Sequence, residues 1–281
     1  MRLAMLMNTG DIYIMAKWQE LKNQHETHSL FTNLWQNMYK MEPKLGRFAY
    51  ARNLAIAVHE AIHCNYGKIV AIEFGVANGV GLLELCTAAK FFREQTGVEI
   101  LVAGFDTATG LPAPADYRDH PELWRESGFA MGDPDVLRAK LPDFARLVIG
   151  DIGDTVSGFV DELDDARIGF VSIDVDYYSS TKKAFQIFTH NPEIYLPVIP
   201  MYFDDLTGAL VYNPWCGERL AISEFNEAQR FRKIAPNTSY RIPPVEACYA
   251  LHVLDHPMRT GQQRPRFPLD LHPYTNLQQM A

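Results

Sequence analysis

Apolar positions along the chain alternate between short continuous runs and longer stretches of helical period. "RFAYARNLAIAVHEAIHC" (47–64) puts Phe48, Ala51, Ala55, Val58 and Ile62 on one helix face. "KIVAIEFGV" reads as a strand buried on both faces. "GVGLLELCTAAKFFREQTG" follows as a helix stopped by Gly97, and "EILVAGFD" as a second strand. The connection 107–144 is rich in Pro, Gly and charge. Its one helix, in "DPDVLRAKL", has Asp133 as cap and Pro134 at the first helical position. Then come a strand "ARLVIGDI", a helix "DTVSGFVDEL" capped by Asp154, a strand "IGFVSIDVD", a helix through "SSTKKAFQIF" and a strand "VIPMYFDD". A helix "GERLAISEFNEAQRF" and two closing strands, "SYRI" and "ACYALHVL", complete the order. Residues 11–42 carry a weaker helical pattern, and the stretch from Pro257 is Pro-rich and irregular.

Repeated alternation of strand and helix predicts an α/β fold. We expect a Rossmann-like, doubly wound sheet of about seven strands, mostly parallel with an antiparallel closing strand. The 281 residues are expected to form a single domain. Within it, residues 1–64 form an N-terminal helical cap, 107–144 a lid or insert, and 255–281 an irregular tail. A net charge of −8 argues against nucleic acid or an anionic membrane as the main partner. The N-terminus has the pattern of neither a signal peptide nor a membrane span. Cys64, Cys86, Cys216 and Cys248 form no CxxC pair and read as reduced thiols of a cytoplasmic protein. The pattern leaves open whether the chain forms a homo-oligomer.

In such sheets ligands bind at the carboxyl ends of the strands. Five successive strands here end in carboxylates: Glu73, Asp106, Asp151, the pair Asp174 and Asp176, and the pair Asp204 and Asp205. One such ending is common, because Asp starts turns and caps helices; five on one edge point to a site. The glycines after the first strand, Gly75, Gly79 and Gly81, are spaced GxxxGxG rather than the GxGxxG of a pyrophosphate-binding turn. We expect this loop to pass close to a bulky ligand without pyrophosphate, and Asp106 to accept hydrogen bonds from ribose hydroxyls. A ribose without pyrophosphate suggests S-adenosylmethionine.

The segments "EFGVANGVG", "GFDTATGLP", "VIGDIGDTV", "SIDVDYYSSTKKAF", "FDDL" and "GERLAISEF" occur in an order that resembles the macrocin O-methyltransferase family. These are class I S-adenosylmethionine-dependent methyltransferases acting on sugars of natural products. The resemblance covers roughly residues 66–230 and implies the class I methyltransferase architecture. It implies that Glu73, Gly75 and Gly79, with Gly81 in the same loop, bind the cofactor's methionine end. It places Asp106 at the ribose and Asp151 near the adenine. Asp174, Asp204 and Asp205 match the family's divalent-metal ligands, read as magnesium, and Asp176 the proposed general base. The interval from Asp174 to Asp204 is longer than the family's, and the connection 107–144 is individual, so the acceptor cannot be carried over. It is expected to be a small-molecule hydroxyl of a sugar or another natural product.

The chemistry is consistent with these residue types. Transfer from a sulfonium needs in-line positioning at about 3–3.5 Å, a hard cation lowers a hydroxyl's pKa, and a carboxylate in reach takes the proton. Plainer readings stand beside these. Asp174 and Asp176 could only flank a helix start capped by Ser179 or Ser180, and Asp204–Asp205 could be a turn. His59 and His63 have a zinc spacing without an evident third ligand and read as a structural pair. His120 is a rival base, while Tyr117 and Trp124 could stack on an acceptor or pack a lid; Tyr177 and Tyr178 could pack or line the site. Rival functions are an NAD(P)-dependent reductase on a similar sheet and a non-catalytic cofactor-binding scaffold.

Overall fold

The computed structural model describes residues 46–208, 210–237 and 247–263. The expected elements within 11–42, the "SYRI" strand and the tail beyond 263 lie outside the described residues.

Seven strands form one sheet: β1 (Lys68–Phe74), β2 (Glu99–Asp106), β3 (Ala145–Ile149), β4 (Arg167–Ile173), β5 (Val198–Phe203), β6 (Arg232–Pro236) and β7 (Cys248–Val253). Their order is β3-β2-β1-β4-β5-β7-β6. The first five run parallel, and β7 is antiparallel to both of its neighbours. Six α-helices among the described residues accompany them: α1 (Phe48–His63), α2 (Val80–Thr96), α3 (Pro134–Arg138), α4 (Ile152–Asp161), α5 (Tyr178–Ala184) and α6 (Gly217–Ala228).

The chain winds outward in two directions from β1 and β4. Right-handed crossovers therefore put α2 on one face and α4 and α5 on the other. Contacts agree: α1 packs on α2 and on β1, β4 and β5, while α4, α5 and α6 pack in sequence. β1 and β4 at the centre are buried on both faces except at their first residues, which explains their continuous apolar runs. The crevice where the winding reverses opens at the carboxyl ends of β1 and β4.

Several local expectations meet the structure differently. The helix after β3 is capped one turn earlier than expected, by Asp151, whose Oδ1 accepts from Gly153 N at 2.8 Å; Asp154 lies in the first turn. α5 has no side-chain cap from Ser179 or Ser180. The strand after α6 is "RKIAP", directly behind a helix that ends at Ala228. By contrast, Gly97 ends α2 at φ +70°, and Asp133 and Pro134 start α3, as expected.

Candidate active site at the strand ends

Register brings the strand ends level. Asp174 N donates to Phe74 O at 2.9 Å, Gly75 N to Phe105 O at 2.9 Å, and Asp204 N to Ile173 O at 3.1 Å. The sheet's own hydrogen bonds thus continue into the residues that carry the carboxylates. They border a cavity of about 410 Å³, lined by Glu73, Gly75, Gly81, Asp106, Asp174, Asp176, Asp204 and Asp205 among others. Gly79 and Asp151 do not line it. Gly79 is the left-handed N-cap of α2, and a Cβ there would meet Leu137 of α3 at 2.4 Å. Asp151 caps α4 and pairs with Lys183 at 2.6 Å, leaving Ile152 as the lining residue of that turn.

The glycine loop is shaped first by contacts within the protein. At Gly75, φ is +87° and a Cβ would sit 1.6 Å from the Asp174 carbonyl oxygen. At Gly81 a Cβ would meet Glu73 Oε1 at 2.1 Å. Glycine therefore lets β1 press against the β4 turn and leaves room for the Glu73 carboxyl. Asp106 organises the same loop: its Oδ2 accepts from Val76 N and Ala77 N at 2.9 and 2.8 Å, and its Oδ1 from Ala108 N at 2.7 Å. A carboxylate has about four acceptor positions; both on Oδ2 are taken, and one on Oδ1 remains for a ligand's hydroxyl.

Glu73 is 1% exposed. Its Oε1 accepts from the Tyr50 hydroxyl at 2.8 Å, and its Oε2 has no partner. The Tyr50 hydroxyl in turn accepts from Ser172 Oγ at 2.8 Å and Arg47 Nη1 at 3.1 Å. Burial pushes Glu73 up to about 8, with the charge of Asp174 adding to the rise and the Tyr50 hydrogen bond opposing it. The folded protein then holds a proton that the unfolded chain releases near 4.5, so stability is greatest in acid and declines as pH rises from about 4.5 to about 8. Glu73→Gln is expected to match the parent near pH 4 and to exceed it at about pH 9, by on the order of a few kcal/mol. Urea midpoints at both pH values check this. A difference that does not change with pH would mean that Glu73 is not held neutral.

The second part of the site is the cluster after β4 and β5. Asp176 has φ +59°, and Tyr177 N donates back to Val175 O at 2.5 Å, so Asp176 is the central residue of a strained γ-turn. Burial, and then repulsion from Asp205 and Asp174, pushes Asp176 up to about 8. Asp174 rises to about 7 through burial and Asp204, opposed by Arg47. Asp205 rises to about 6, again mainly through burial. Tyr202 donates to Asp204 Oδ1 at 2.7 Å and Tyr212 to Asp205 Oδ1 at 2.8 Å, while Glu218 Oε2 accepts from Asp205 N at 3.1 Å.

Among the described residues no three His, Cys, Asp or Glu side chains form a ready-made metal cage. Arg47 lies against the cluster instead, 2.5 Å from Asp174 Oδ2 and 3.7 Å from Asp204 Oδ1. The donor chemistry still suits a hard cation. The set is all carboxylate, and Asp205 Oδ2 is buried without a hydrogen-bond partner of its own.

The connection 107–133 forms one wall, supplying Leu111, Pro112, Trp124 and Phe129 to the lining. Asp119 ties it down: 1% exposed, it accepts from Ala115 N and Ser179 N at 2.8 Å each and from Ser179 Oγ at 2.9 Å. His120, the rival base, is absent from the cavity lining. It is buried against Tyr212 and lies 2.9 Å from Glu122. Tyr117 is exposed, Tyr177 is buried, and Tyr178 donates to Glu224 at 2.7 Å. His59 and His63 lie on α1, away from the cavity lining; burial and the neighbouring His63 push His59 down to about 4. Arg47, Tyr50, Ser172, Asp119 and Tyr212 are not singled out by the sequence pattern.

No protein-family model matches the chain, and no curated protein does. Among solved structures the chain is similar to CalS11, a calicheamicin methyltransferase. The TM-score is 0.52 at 22% identity, over 81% of this chain and 91% of that one. It is also similar to the O-methyltransferase NovP, with a TM-score of 0.45 at 20% identity over 63% and 71% of the two chains. A third is the MycE methyltransferase of mycinamycin biosynthesis, solved with Mg, SAH and mycinamycin VI, with a TM-score of 0.40 at 12% identity over 92% and 60%. The fold is that of class I methyltransferases. At these identities the likeness speaks to fold, and only the first match is strong enough to carry that conclusion. No helix among the described residues is long and apolar enough to cross a membrane.

Proposed function

We propose that this chain is an S-adenosylmethionine-dependent O-methyltransferase that acts on a hydroxyl of a small molecule, a sugar or another natural product, with help from a divalent cation such as magnesium. The observation that carries the reading is the union of two half-sites in one cavity. A glycine loop with a buried, half-partnered Glu73 and an Asp106-braced turn lies directly beside four clustered Asp side chains. When bound, S-adenosylmethionine supplies an electrophilic methyl group, and a divalent cation lowers the pKa of an acceptor hydroxyl.

The chain's own residues divide the remaining work. Glu73 and the Gly75 turn would hold the methionine end, the unpartnered Glu73 Oε2 accepting from an ammonium group whose charge draws Glu73 into its carboxylate form. Asp106 would take a ribose hydroxyl on the acceptor position left on Oδ1. Ile152 would face the adenine, with Asp151 holding its turn in place. Asp174, Asp204 and Asp205 would hold the metal. Asp176 would take the acceptor's proton. In the unloaded protein Asp176 is pushed towards its neutral form. Positive charge entering the cavity favours the carboxylate, so loading the site also makes the base competent. The wall 107–133, acting as a lid, would set acceptor choice.

Thermal unfolding with S-adenosylhomocysteine, and with NAD as control, tests the reading. At 100 times its Kd a ligand adds about 2.7 kcal/mol, or roughly 5–10 °C for a chain of this size. A rise with the homocysteine compound and none with NAD is expected. A rise with NAD alone would favour the reductase.

A further inference from the structure

Six carboxylates line the cavity: Glu73, Asp106, Asp174, Asp176, Asp204 and Asp205. Among the described residues lining it, one carries a permanent positive charge, Arg47. Its guanidinium lies 2.5 Å from Asp174 Oδ2 and 3.7 Å from Asp204 Oδ1, and so bridges the ends of two neighbouring strands. The placement is built. Glu84 accepts from the backbone amides of Gly46 and Arg47 at 2.9 and 2.5 Å, which fixes the turn into α1. The Tyr50 ring lies under the guanidinium at 5.5 Å, and the Tyr50 hydroxyl accepts from Nη1 at 3.1 Å.

We propose that Arg47 is an internal counter-ion that stands where a divalent cation would bind, so that metal and guanidinium compete for Asp174 and Asp204. The proposal rests on the metal-assisted reading above. A divalent ion bonded to Asp174 and Asp204 at about 2.0–2.1 Å would stand beside the guanidinium that contacts the same two carboxylates. Two cations crowded onto one pair of carboxylates repel strongly in a half-buried site. Metal uptake therefore includes the release of Arg47. In the unloaded protein Arg47 spares the cluster the full repulsion of clustered carboxylates. Asp205, whose Oδ2 has no partner, is the ligand Arg47 leaves untouched, and it offers the incoming ion its first contact.

The test uses the full chain without cofactor and Mn²⁺ as the probe, with free ion followed by electron paramagnetic resonance. Arg47→Ala is expected to bind Mn²⁺ about tenfold more tightly than the parent, within the usual range for coupled sites. It should also have a lower Tm in chelator, and Mn²⁺ should restore that Tm. Arg47→Gln, which keeps the stem and hydrogen-bonding capacity without the charge, should behave the same way and guards against a folding defect in the alanine variant. Equal or weaker Mn²⁺ binding by both variants would overturn the competition while leaving the metal reading intact. Absence of Mn²⁺ binding by parent and variants alike would overturn the metal reading and this proposal with it.

Discussion

Gly75→Ala is expected to cost the protein about 4 kcal/mol or more, a loss reserved for severe backbone conflicts. Backbone strain and a steric clash act together. An L-residue at φ +87° is strained by roughly 1–2 kcal/mol. The clash costs more, because the new Cβ falls 1.6 Å from the Asp174 carbonyl oxygen, which belongs to backbone and cannot rotate away. The β1 and β4 ends would have to part, and the hydrogen bond from Asp174 N to Phe74 O lies in that gap. Urea unfolding should show a lower midpoint with an unchanged slope. Gly158→Ala is the control. It lies within α4 with nothing within 4 Å of the added carbon, and a gain of about 0.5–1 kcal/mol is expected there. If the two variants behaved alike, the close approach of the two strand ends would be wrong.

On the proposed assignment of Asp176 as the base, Asp176→Asn is expected to lower methyl transfer by about 10²–10⁴-fold, while S-adenosylhomocysteine binding changes little. The same substitution should stabilise the unloaded protein at pH 8, because it removes a carboxyl that burial and repulsion push up to about 8. A variant that is firmer yet inactive separates catalysis from folding, since simple damage to the fold would lower both. The assay follows S-adenosylhomocysteine released from S-adenosylmethionine over a panel of sugar and phenol acceptors. Full turnover by Asp176→Asn would move the base to another residue.

The sheet and its acidic edge are legible in the sequence because each strand announces itself locally. An apolar run ends in Glu or Asp, and parallel register then brings those ends level. The parts that escape are long-range or polar within an apolar pattern. Arg47 opens a helix identified by its apolar face, and its partner Asp174 lies 127 positions away. Tyr50 counts as one more core residue until its hydroxyl is seen to join Glu73, Ser172 and Arg47. The sixth strand, "RKIAP", carries two cations and a proline. These residues are tolerated at a sheet edge, and they hide a strand from any search for apolar alternation. The glycine spacing correctly signals close approach, but at Gly75 and Gly81 what approaches is Asp174 and Glu73 of the protein itself.

The bonds from Asp119 to Ser179 have a consequence for rebuilding this molecule. Residue 179 is three positions beyond Asp176, at the start of the helix that the γ-turn leads into. The connection that walls the cavity and the turn that aims Asp176 are therefore fastened together. A foreign segment grafted in place of residues 107–133, to test their proposed part in acceptor choice, must bring an acid that reaches Ser179. A graft without it would widen the entrance and loosen the turn at Asp176 in the same step.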